Sequence, residues 1–292
     1  MRPYDDGFLR AMALAAFLMV GAAGARAAED GAWADCKSDN VDRRIAGCTR
    51  LLESGALASG ADQARAYFNR GVALANTGDH DRAIADFDQA IRLDAQYADA
   101  YHDRALSYLS KHDPDRAVAD FSQAIRLDPK LARALYDRGV AYAAKNDLDR
   151  AVADWDEAIR LDQGFAPAHY NLGVVAANKG NFAEAIAHFD TAIRLDPQRG
   201  PAYFNRGVAY ANKGDLDHAI ADWSEVIRLD AKTAPAYHDR GAAYEAKGEL
   251  DAALADFKTL LELAPGNADG AAGVARLEKK IAAAKTAPPA AK

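Results

Sequence analysis

The stretch Asn205 to Asp230, NRGVAYANKGDLDHAIADWSEVIRLD, decides how the chain is read. Gly207 is followed three residues later by Tyr210, a turn intervenes at Gly214, and Ala219 and Trp223 then recur at helical spacing. Residues three and four apart share one face of a helix. The stretch is therefore a helical hairpin, and nearly the same words return every 34 residues from Ala64 to Asn267.

Set in register without insertion or deletion, the copies align Gly71, Ala105, Gly139, Gly173, Gly207 and Gly241. A second column holds Leu74, Tyr108, Tyr142, Ala176, Tyr210 and Tyr244, and a third Ala83, Ala117, Ala151, Ala185, Ala219 and Ala253. Phe87, Phe121, Trp155, Phe189, Trp223 and Phe257 form the fourth. A closing proline stands at Pro129, Pro197 and Pro265 and is replaced by Ala95, Gln163 and Ala231 elsewhere. With this period and these columns the chain resembles the tetratricopeptide repeat (TPR) family over roughly 200 of its 292 residues. The resemblance implies an all-α fold, a right-handed superhelical solenoid of helix-turn-helix repeats. The frames are 64–97, 98–131, 132–165, 166–199, 200–233 and 234–267.

The residues themselves explain such hairpins. Pro167, Pro201 and Pro235 suit the first turn of the first helix of a pair, helix A, where a missing N–H costs nothing. Gly78, Gly180, Gly214 and Gly248, with Asn146 and the odd His112, occupy the A-to-B turn, where a left-handed residue ends helix A. Asp79, Asp113, Asp147 and Asp215, with Asn181 and Glu249, follow as N-caps of the second helix, helix B. The small residues of helix A are expected to face the alanines of helix B, with the Phe or Trp column filling the space to the next repeat. Trp155 and Trp223 are accordingly core residues rather than walls of a ligand cage.

One pairing emerges because the repeats serve as their own alignment. Arg70, Arg104, Arg138, Arg206 and Arg240 accompany Asp86, Asp120, Asp154, Asp222 and Asp256, while the fourth copy carries Leu172 and His188 instead. An architectural ion pair, within or between repeats, accounts for this joint change, because removing one member alone would strand a charge. Five equivalent copies argue against a catalytic role.

The ends differ from the array. Arg2 and Arg10 precede an apolar run, Ala11 to Ala25, and Ala25-Arg26-Ala27 offers small residues where a signal peptidase reads, so 1–27 is expected to be a signal peptide. Asp5, Asp6, Gly21 and Gly24 weaken that pattern, but the run is too short and too rich in alanine to span a bilayer of ~30 Å. A periplasmic or secreted location follows, without membrane insertion after cleavage. Residues 28–63 form an expected N-terminal cap in which Val41 to Glu53 reads as a worn helix B. Both cysteines, Cys36 and Cys48, lie there; in an exported chain without C-x-x-C spacing or a nearby His they are expected to form a disulfide. Residues 268–284, with Val274, Leu277 and Ile281 at helical spacing, are the expected C-terminal capping helix, and 285–292 a disordered tail.

Composition narrows the function. Of 36 basic and 43 acidic side chains, cleavage removes three arginines and two aspartates, leaving a net charge of about −8, which disfavours nucleic acid as a partner. No phosphate-binding loop, G-x-S-x-G, H-E-x-x-H or Cys–His nucleophile is present, so neither an enzyme nor a cofactor is expected. The histidines are scattered, only His102 and His238 sharing a repeat position, and no metal site is expected.

The resemblance implies that function sits in a concave groove lined by helix A. Its positions carry over residue by residue. An aromatic rail comprises Phe68, His102, Tyr136, Tyr170, Phe204 and His238; a polar ladder comprises Asn69, Asp103, Asp137, Asn171, Asn205 and Asp239; one turn on lie Val72, Leu106, Val140, Val174, Val208 and Ala242. Asn offers a peptide backbone both donor and acceptor, and rings supply contact area at little entropic cost. Each rail aromatic has a second reading, as packing against adjacent helices. The family's clamp for a terminal carboxylate needs Lys and Asn where Val, Leu and Ala stand, and only Arg65 and Arg133 lie nearby. A protein or peptide segment containing Lys or Arg is the better expectation. The expected role is an exported adaptor, monomeric or weakly homo-oligomeric; the alternatives are a self-assembling solenoid or an accessory subunit of an envelope enzyme complex.

Overall fold

The structure, a computed structural model, describes residues 28–55, 57 and 59–286. The expected signal peptide and the tail beyond residue 286 lie outside the described residues. Residues 28–36 form α1. It is followed by α2 (Val41–Glu53), α3 (Gly60–Asn76), α4 (His80–Leu93), α5 (Ala98–Ser110), α6 (Pro114–Leu127), α7 (Ala132–Ala144) and α8 (Leu148–Leu161). Then come α9 (Ala166–Asn178), α10 (Phe182–Leu195), α11 (Gly200–Asn212), α12 (Leu216–Leu229), α13 (Ala234–Lys247), α14 (Leu250–Leu263) and α15 (Ala268–Thr286). No strand occurs among the described residues. The chain divides within α8 into two compact units, one ending at Asp154 and the other starting at Trp155. In each, a helix packs on the next in sequence and first helices touch the first helix of the following pair. Such nearest-neighbour stacking is how a solenoid buries faces that no single hairpin could.

The turns form as their residues dictate. Gly78, Gly180, Gly214 and Gly248 adopt φ between 79° and 82°, and His112 and Asn146 are held at 59°. Asp79, Asp113 and Asp215 cap α4, α6 and α12 by accepting the backbone N–H three residues on, and Asp147 does the same for Arg150. Asn181 and Glu249 differ from expectation, making no side-chain cap bond. The Asn181 amide donates instead to Glu184, and Glu249 pairs with Lys247, whose ammonium is 2.7 Å away.

The aromatic column is the core. Phe87, Phe121 and Phe189 are fully buried, and Trp155, Trp223 and Phe257 nearly so. The glycine column, however, serves the ring of its own pair rather than the alanines. A Cβ at Gly71 would stand 2.8 Å from the Phe87 ring, one at Gly173 2.7 Å from Phe189, and one at Gly207 2.9 Å from Nε1 of Trp223. Glycine thus makes the slot into which the ring of helix B is pressed.

The ends sharpen two boundaries. The Ser59 hydroxyl caps α3, which begins at Gly60, so the expected limit of the cap at residue 63 falls inside a helix. The disulfide Cys36–Cys48 ties α1 to α2, and both cysteines are buried with Leu51 of α2 and Ala66 of α3. At the other end α15 extends beyond residue 284 to Thr286. Its Leu277 packs with Phe257 and Leu260, while Arg276 and Lys280 converge on Glu245.

Candidate interaction surface

The side chains of helix A are oriented by a repeated clasp. Arg70, Arg104, Arg138, Arg206 and Arg240 each donate Nε and Nη2 to the two carboxylate oxygens of the aspartate 16 residues on, at 2.6–2.9 Å. Bidentate geometry fixes the guanidinium plane. The remaining nitrogen, Nη1, reaches back to the preceding helix B: Thr49 at 3.1 Å, Asp88, Ser122 at 3.1 Å, Asp190 at 2.6 Å and Ser224 at 2.9 Å. The clasp therefore acts both within a pair and between neighbours. It is buried at the aspartates, and burial pushes the Asp222 carboxyl up although Arg206 opposes the shift.

In the first unit Phe68, Asn69, His102, Asp103 and Asp137 of the expected rail and ladder all have partners within the chain. Phe68 packs on Phe87 and, at 4.8 Å between centroids, on Tyr97, whose hydroxyl is pushed up to about 12 by burial and then by nearby carboxylates. The Asn69 amide lies 3.9 Å from Sγ of Cys36. His102 is only 4 % exposed, so it is no open groove ring. Its Nδ1 is 2.8 Å from Asp103 and its Nε2 2.8 Å from Asp137 on the next helix A. Burial opposes charging His102, but hydrogen bonds to both carboxylates, with their charge, outweigh it and raise the imidazole to about 8. At pH 7 the two ladder carboxylates therefore share one cation. Tyr136 and Val140 are half-buried and Leu106 is exposed; Val72 packs near Leu74 and Phe87.

In the second unit two depressions open at groove positions. A depression of about 590 Å³ is lined by Tyr170, Phe204 and Asn205 together with Pro201, Val226 and Leu229, and has Asp230 at its edge. Asn205 donates to the Tyr170 hydroxyl at 3.0 Å, and Arg199 stacks over that ring. A second depression, of about 330 Å³, is walled by Val208, Asp239 and Ala242 above Trp223. The first gathers residues of the rail and the ladder, the second residues of the ladder and the third column. Asn171 and Val174 are half-buried, Val174 against the α9/α10 core. His238 packs edge-on against Phe257 and is 2.8 Å from Asp239. Pro201, Val226, Leu229 and Pro235 line the larger depression although the family's groove positions omit them. The proline column at the start of helix A was the signal that could have found two of these.

Tetratricopeptide repeat profiles match residues 64–97, 102–164, 146–200, 170–234 and 234–267. The chain belongs to the tetratricopeptide repeat family. YrrB, described as a TPR protein with an unusual peptide-binding site, is 26 % identical; the match covers 64 % of this chain and 96 % of YrrB at a TM-score of 0.56. MamA is also 26 % identical, over 56 % of this chain and 96 % of its own, at 0.51. PilF of Pseudomonas aeruginosa, 19 % identical over 76 % of this chain and all of its own at 0.64, shares the fold. A search of curated protein sequences returned no match. TPR arrays in general are non-catalytic scaffolds for protein–protein interaction, and that is the role this membership supports.

Proposed function

We propose that this TPR protein binds an extended peptide segment of another protein on the helix A face of its second unit. The observation that carries this reading is the coincidence of both depressions with the groove positions: Tyr170, Phe204 and Asn205 in one, Val208, Asp239 and Ala242 in the other. Apolar walls beside an amide and one carboxylate each suit a segment that alternates apolar and basic side chains. An apolar residue fills the depression between Phe204 and Leu229, and Lys or Arg meets Asp230 or Asp239. The peptide-binding site of YrrB, a structure of similar fold, adds support.

Fluorescence anisotropy with labelled ten-residue peptides tests this. Peptides pairing Leu or Phe with Lys should bind, the same peptides with Glu in place of Lys should not, and Tyr170→Ala with Phe204→Ala should weaken binding by about tenfold or more. Equal binding of the Glu series, or indifference to the double substitution, sinks the reading.

The same proposal places the chain outside the cytoplasm, after removal of residues 1–27. The Cys36–Cys48 disulfide supports an oxidising compartment. The mass of the chain recovered from an expressing bacterium tests it: a mature start at Ala28 is expected, and an intact Met1 start contradicts it.

A further inference from the structure

The seam between helices A and B carries the same chemistry in most pairs. Tyr67, Tyr101, Tyr203 and Tyr237 stand three residues before the clasp arginine, whose guanidinium lies over the ring at 5.5–5.7 Å. The aspartate of helix B completes the set. Between α9 and α10 all three positions change together: His169 takes the tyrosine position, Leu172 the arginine position and His188 the aspartate position.

Leu172 is buried and leaves the seam to the two imidazoles. Their Nδ1 atoms are 3.3 Å apart, with ring centroids at 5.6 Å and planes tilted by 41°. Two histidine nitrogens on one tetrahedral cation, each about 2.0–2.1 Å from it, must lie about 3.3 Å from each other. Both rings are half-buried and reachable from solvent. Asp156 on α8 and Arg194 on α10 are the charged groups near His169.

We infer that His169 and His188 form an open two-imidazole site for a divalent first-row transition cation, which clips α9 to α10 where the arginine–aspartate clasp is missing. Imidazole nitrogens suit zinc, nickel and copper ions and not calcium or magnesium. No group of three or more His, Cys, Asp or Glu suited to a metal occurs among the described residues. Water therefore completes the coordination, and the site is exchangeable rather than closed.

Calorimetric titration of zinc chloride into the untagged chain at pH 7.5, in a buffer that does not bind metals, tests the site. One zinc per chain is expected, together with a rise in melting temperature. His169→Ala or His188→Ala should each lower the affinity by at least the 10–100-fold that loss of a mere supporting residue costs. The triple variant His169→Tyr, Leu172→Arg, His188→Asp rebuilds the seam of the other pairs, so it keeps the fold, read by circular dichroism, and should lose the zinc. His218→Ala, at an exposed histidine beside Asp215, should bind as the parent does. No zinc binding by the parent chain, or parent-like affinity in the folded triple variant, overturns the assignment and leaves a direct imidazole–imidazole hydrogen bond.

Discussion

Arg206 holds Asp222 by two parallel hydrogen bonds, Nε to Oδ2 at 2.9 Å and Nη2 to Oδ1 at 2.6 Å, and spends its last nitrogen on Asp190 of the preceding helix pair. One guanidinium thus joins three helices. Asp222 is 4 % exposed, so without Arg206 it would be a buried charge without compensation, whereas Arg206 without Asp222 keeps its bond to Asp190. Arg206→Leu should cost about 3–5 kcal/mol, and adding Asp222→Ala should return part of that loss, since a buried pair replaced by apolar groups is often near neutral. Urea denaturation of the four members of the cycle measures the coupling; additive losses would deny the pair any special role.

His102 makes the stability of the first unit depend on pH. Its pKa is raised from 6.5 to about 8, so the stabilisation is complete below about pH 6.5 and is lost as the pH rises through 8. The full effect is about 2 kcal/mol. Urea midpoints between pH 6 and 9 should fall across that window in the parent chain and stay flat in His102→Gln.

Gly207 and Trp223 should be coupled in the same sense as a clasp, the second substitution relieving the first. A methyl at position 207 would stand 2.9 Å from Nε1 and 3.1 Å from Cε2 of Trp223. Gly207→Ala alone should destabilise by about 1–3 kcal/mol through overpacking. In a Trp223→Leu background no ring fills the slot, and Trp223→Leu also removes an indole N–H that is buried without a partner. Thermal melts should show Gly207→Ala to be far milder in that background.

His112 occupies a turn that its sister repeats give to glycine or asparagine. It is exposed and held at φ 59°, a region costly for a residue with a Cβ. His112→Gly should stabilise the chain by about 0.5–1 kcal/mol, whereas the same change at the exposed, right-handed Lys179 should destabilise it. Chemical denaturation of the two variants provides the comparison.

Much of the architecture was legible because its causes are local. The left-handed turn column and the aspartate caps each depend on neighbours within four residues, and the helical spacing of Val41–Glu53 is equally local, which is why α2 has the bounds its sequence shows. The capping of α3 by Ser59 was missed because its signal lies before the repeat frame begins. The interaction surface was legible only as columns. The sequence shows that Phe68, His102, Tyr136, Tyr170, Phe204 and His238 are equivalent, yet His102 is sealed between two carboxylates while Tyr170 and Phe204 border an open depression.

By itself, then, the sequence determined the family, the helix pairs, their turns and the joint replacement of arginine and aspartate in one copy. Only the tertiary structure decided that each arginine serves both its own aspartate and the preceding pair, that glycine accommodates a ring rather than an alanine, and that His169 meets His188. The physical reason is that these contacts join helices whose rotation about their own axes no local signal specifies. A column shows that positions are equivalent; the distance between two columns, 16 or 19 residues apart in sequence, is set by how the helices pack.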